Sequence, residues 1–164
     1  MGETGGIALF RALKLGDLLC AVPAFRAVRR AEPDARITLI GLPWAEGFAA
    51  RFSHLLDAFV PFDGWPGLPE QAPGEPTAFV EEARARWFEL AIQMHGNGAV
   101  SNEVVAALGA ARAGGFTTPG AAELDPELSL PYPDHLHEVR RHLMLVEHLG
   151  FGSAGEQLEF PIGD

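Results

Sequence analysis

Short apolar runs that alternate with amphipathic stretches constrain this chain more than anything else in it. Residues 6–10 (GIALF) are too few for a helix and apolar throughout, as a strand buried on both faces of a parallel sheet must be. Residues 36–40 (RITLI), 58–62 (AFVPF) and 90–94 (LAIQM) repeat the pattern, and residues 112–116 (RAGGF) form a fifth strand or its remnant. Pro61 cannot donate to a ladder, which makes the third run an edge strand or shortens it. Between the runs lie helical patterns. In residues 18–30, Leu18, Val22 and Phe25, and Ala21, Phe25 and Val28, recur at three and four, and Pro23 is expected to kink the helix or restart it. Further helices are expected over residues 44–52, 77–87 (Thr77 as cap), 101–108 and 137–149, the last stopped by Gly150. Residues 63–76 (DGWPGLPEQAPGEP) read as a long loop, functional or mobile, and residues 117–133 as a Pro-rich connection. Residues 158–161 read as extended. Such alternation specifies one α/β domain over residues 1–164, a doubly wound, mostly parallel sheet with strand order such as 3-2-1-4-5.

In a sheet of that order ligands bind beyond the carboxyl ends of strands one and four, where the winding reverses. The segments leaving those strands, Arg11 to Asp17 and His95-Gly96-Asn97-Gly98, are 80 residues apart in sequence and are expected to share one crevice. Gly16 would let the chain turn tightly into the helix. Asp17 is either its N-cap or a functional carboxylate. His95 to Gly98 is either a ligand-facing loop or a turn whose glycines serve geometry alone. Trp65, in the Pro/Gly loop after strand three, stands out as a ring that can be exposed at the same end. Arg29-Arg30 and Arg140-Arg141 read as solvated surface, as do His142 and His148, and no histidine and carboxylate set has metal-ligand spacing on one helix face.

Composition removes several function classes. The formal charge of −10 argues against sequence-independent nucleic-acid binding, which needs clustered cations, and against tight docking on an anionic membrane. No apolar run approaches the roughly 18 residues of a membrane span. The first residues lack the basic cluster and apolar stretch of a secretory signal, so a cytoplasmic protein is expected. A single cysteine, Cys20, excludes a disulfide framework and reads as a small buried hydrophobe. Lys14 is the only lysine. Nothing matches the glycine-rich dinucleotide fingerprint or the phosphate loop ending in Gly-Lys-Ser/Thr.

The stretch Phe10-Arg11-Ala12-Leu13-Lys14-Leu15-Gly16-Asp17-Leu18-Leu19-Cys20-Ala21-Val22-Pro23-Ala24 resembles the opening of the family 9 glycosyltransferases, the group of the ADP-heptose:lipopolysaccharide heptosyltransferases. Gly-Asp with a Pro six residues on, the Arg-rich helix, and Pro33-Asp34-Ala35-Arg36-Ile37 are similar to that family, as are Ala91 to Gly96 and His137-Glu138-Val139. The resemblance implies a Rossmann-like N-terminal domain of a GT-B enzyme that receives a saccharide or glycolipid acceptor. A nucleotide sugar, ADP-linked in this family, would bind a second domain absent from these residues, and no other cofactor is implied. The family's proposed general base is matched by Asp17. Arg11, Lys14, Gly16, His95, Gly96 and Asn97 would lie near acceptor groups or donor phosphates. The resemblance also leaves room for peripheral contact with the inner membrane. A stand-alone flavodoxin-like module without catalysis is the alternative that the same fold allows.

Overall fold

A computed structural model describes residues 6–68 and 77–160. Six parallel strands, β1 (Gly6–Phe10), β2 (Ile37–Gly41), β3 (Ala58–Pro61), β4 (Phe88–Gln93), β5 (Arg112–Thr117) and β6 (Ser129–Pro131), form one sheet in the order β3-β2-β1-β4-β5-β6. Helices α1 (Leu15–Ala31), α2 (Glu46–Arg51), α3 (Thr77–Arg84), α4 (Ser101–Ala107) and α5 (Glu138–His148) cover it. The expected order is present, extended by β6. That strand lies within the stretch read as a Pro-rich connection. It is three residues long and ends on Pro131, which an edge strand tolerates because the missing N–H faces no neighbour.

Alternation along β1 sets the layers. Ile7 and Leu9 join one core with Leu18, Phe25 and Val28 of α1, Phe48 of α2, and Leu143 and Val146 of α5. Ala8 and Phe10 join the other with Phe79 and Ala83 of α3, and Val104 and Val105 of α4. All four strand residues are 5% exposed or less, so β1 is the buried centre of a three-layer sandwich. Pro23 does not interrupt α1, which begins at Leu15 and runs on to Ala31 with Pro23 buried inside it. Only one carbonyl, four residues upstream, loses its partner, and the ring is packed rather than solvated. α3 ends earlier than expected, and no strand forms among residues 151–160. Of the long loop, Trp65 and Leu68 pack against the second core and Trp65 Nε1 donates to Glu103 at 3.2 Å. Residues 69–76 of this loop, expected to be mobile over 63–76, lie outside the described residues, as does the side chain of Thr77 on which the expected cap depends.

Candidate active site

All six strands run the same way, so the segments after β1 and β4 emerge together at the carboxyl edge, where two side-chain bonds cross between them and a third folds the first segment back on Arg11. Arg11 Nε donates to the Asp17 carbonyl at 2.9 Å and Nη1 to the Met94 carbonyl at 2.6 Å, while the Ala12 amide donates to His95 Nδ1 at 3.1 Å. The order reverses between β1 and β4, so the two segments lie side by side at the switch point, as expected.

Asp17 is not the N-cap. Lys14 holds that position with extended backbone and no side-chain capping bond, and Asp17 is the third residue of α1, where its charge suits the helix dipole. Among the described residues its partly exposed carboxylate makes no hydrogen bond or ion pair. Gly16 is the second helical residue and has no left-handed φ. A methyl group added there would meet nothing within 4 Å, so the expected tight turn is not the reason for glycine. Lys14 is exposed and unpaired among the described residues.

His95 is 6% exposed, stacked on Phe10 at 5.2 Å. Because Nδ1 accepts the Ala12 amide, the proton of the neutral ring sits on Nε2. Burial, aided by the nearby Arg11 charge, pushes its pKa down to about 4, so the ring is neutral at pH 7. Its carbonyl accepts Ser101 Oγ at 2.6 Å and its amide donates to Gln93 Oε1, so backbone and ring are both fixed. Gly96 and Gly98 have left-handed φ of 67° and 92°, and a Cβ on Gly98 would stand 2.6 Å from the Phe116 carbonyl. Exposed Asn97 accepts the Ala99 amide at 2.9 Å in a local turn. The segment therefore has clear geometric duties, and Asn97 and Gly96 are its outward members.

Arg11, expected to meet anionic groups of the substrates, is 1% exposed and its third arm donates to Glu138 Oε2 at 3.0 Å. Its donors are spent inside the protein. His142 is likewise not on a solvated face: it is 1% exposed, against Phe116, with Nε2 3.3 Å from Glu138 Oε2. Arg29 and Arg141 are not free surface either. Arg29 binds Asp57 and the Ala35 carbonyl at 2.8 Å, and Arg141 lies 4.3 Å above the Tyr132 ring while bonding Glu138. Cys20 is half-buried. Glu138 and Ser101 were missed by sequence reasoning; their partners are 127 and 6 residues away, and only the acid at the start of the last helix gave any signal. Among the described residues no group of three or more His, Cys, Asp or Glu could hold a metal ion, and no helix is long and apolar enough to cross a membrane.

These features define a doubly wound Rossmann-like domain in which the segments after β1 and β4 meet at the topological switch point. Its fold is similar to that of solved glycosyltransferases. Escherichia coli heptosyltransferase WaaC with ADP superposes with a TM-score of 0.66 at 20% identity, over 93% of this chain and 50% of that one. A glycosyl transferase family 9 protein from Veillonella parvula gives 0.68 at 15% identity, over 97% and 46%. E. coli ADP-heptose lps heptosyltransferase II gives 0.63 at 17% identity, over 94% and 46%. The chain thus spans about half the length of each. No protein-family model matches the sequence, and no curated protein matches it closely enough to count as a relative.

Proposed function

We propose that this chain is the acceptor-side half of an inverting glycosyltransferase in which Asp17 is the general base. The observation that carries the reading is a carboxylate that makes no hydrogen bond or ion pair among the described residues, at the switch point of a fold shared with half of several glycosyltransferases. In the transfer, the acceptor hydroxyl gives its proton to Asp17 as its oxygen forms the new bond to the anomeric carbon. The bond from that carbon to the nucleotide diphosphate breaks from the opposite face, and the diphosphate leaves with the electron pair. Gly16 fits this role because bare backbone with open space beside it admits a ligand closely. Lys14 sets a cation at the positive end of α1, an arrangement unfavourable in itself that an anionic acceptor or donor group would offset. Gly96 and Asn97 form the opposite rim, with the buried His95 ring behind it. The donor, by this reading an ADP-linked heptose-like sugar, is held by residues beyond this chain, and the acceptor is a saccharide or glycolipid.

Asp17→Asn in the full-length protein separates base from helix residue. Transfer should fall about 10²–10⁴-fold, the worth of a general base. Losing the first-turn charge alone costs roughly 0.3–1 kcal/mol, a shift in Tm of only about 1–4 °C for this size. Near-normal turnover with that small loss of stability would leave Asp17 as a dipole residue and overturn the reading.

A further inference from the structure

The Arg11 side chain hydrogen-bonds both segments at the switch point and the first residue of α5. It leaves the buried end of β1, and its planar fork reaches Asp17 O, Met94 O and Glu138 Oε2 at 2.9, 2.6 and 3.0 Å. A buried guanidinium needs a counter-charge. Glu138, at the first position of α5, supplies it, and is itself held by Arg141 and approached by His142. The closeness of His142 and the charge of Arg11 outweigh burial and keep the Glu138 carboxyl at about 2, ionised at any working pH. So three elements far apart in sequence converge on one cation.

We propose that Arg11, seated on Glu138, is a positioning residue: it fixes the first turn of α1, and with it Asp17, against the end of β4. The proposal rests on the base role of Asp17 given above. A carbonyl in the first turn of a helix already serves the helix and has no structural need of a buried arginine; tying it to Met94 O sets the distance between the two rims. Lysine cannot replace the fork, since one ammonium nitrogen cannot span three acceptors lying in different directions.

The test is kinetic, in the full-length protein. Arg11→Lys should lower kcat at least tenfold, toward the roughly 10²-fold that a 1 Å misplacement costs, with KM changed less than about threefold when rates are scaled to folded protein. Glu138→Gln, which keeps an acceptor oxygen, should lose less than Glu138→Ala. In an Asp17→Asn background Arg11→Lys should add no further loss, because its effect runs through Asp17. Wild-type kcat for folded Arg11→Lys, or losses that multiply in full in the double variant, would overturn the proposal. If Asp17→Asn itself turns over normally, the base reading fails by that result alone. The positioning role is then judged by hydrogen exchange of residues 11–18 and 94–97: exchange faster by tenfold or more in Arg11→Lys supports it, and unchanged exchange refutes it.

Discussion

Buried imidazoles are the residues through which this fold should feel pH. His95 and His142 are each held down to about 4, both by burial first and the Arg11 charge second; for His142 these outweigh Glu138, which pulls the other way. In the unfolded chain both return to about 6.5. Between pH 6.5 and 4 the unfolded state therefore binds more protons than the folded one, and stability falls as pH falls, by up to roughly 3 kcal/mol per ring. Glu138 works in a lower window: its depressed carboxyl stabilises the fold above about 4.5 and loses that contribution toward pH 2. Thermal melts should thus show Tm dropping by about 10 °C or more from pH 7.5 to 4.5, and His142→Gln should remove about half the slope. A flat profile over that range contradicts the assignment. Of these residues, His142 was legible and misread: it lies three after Val139 and four before Val146, on the apolar stripe of α5. Arg11 was not legible, because the partners that bury it, Met94 and Glu138, are 83 and 127 residues away. Gly16-Asp17 was visible in its neighbours, yet its position inside the helix followed only from the backbone.

Strands were read from the chain more faithfully than turns because burial on both faces leaves a continuous apolar signature, and β1 kept its expected bounds. β6 leaves no such signature, being three residues of which the last is a proline. What admits it is glycine in β5. Gly115 has φ 142°, and a Cβ there would come within 2.4 Å of the Gln93 carbonyl; one on Gly114 would come within 2.5 Å of Leu128. β5 is thus pressed between β4 and the turn that leads into β6, with no room for a side chain on either residue. Gly115→Ala combines backbone strain of about 1–3 kcal/mol with displacement of a ladder that also orients Gln93, whose amide holds Phe116 O at 3.2 Å and whose carbonyl oxygen accepts the His95 amide. The variant should lose about 6–12 °C in Tm, corresponding to roughly 3 kcal/mol at this size. A Tm within 2 °C of the parent, taken here as about half a kcal/mol, would mean that the strands part without cost.

At the scale of the whole molecule, charge and completeness decide what residues 1–164 can bind unaided. On the reading proposed above, the acceptor meets this domain and the nucleotide sugar is held by residues outside it. The chain contains no glycine-rich phosphate cradle, and its formal charge is −10, so the long-range field repels a diphosphate rather than gathering it. At the switch point, the described features that favour an anion are Lys14 and the first turn of α1. A helix-end interaction supplies about 0.3–1 kcal/mol, and an exposed ion pair about as much. A dissociation constant of 10 µM requires about −6.8 kcal/mol, several times more than both together. Calorimetric titration of residues 1–164 with ADP-sugars should therefore give a dissociation constant weaker than about 10 µM, or no measurable heat, in 0.15 M salt. Lowering the salt should not rescue it, since weaker screening strengthens the repulsion from the net charge along with the attraction to Lys14. Saturable binding at or below 10 µM would place a nucleotide site within this domain, and the division of labour between acceptor side and donor side would have to be redrawn around Lys14 and Gly16.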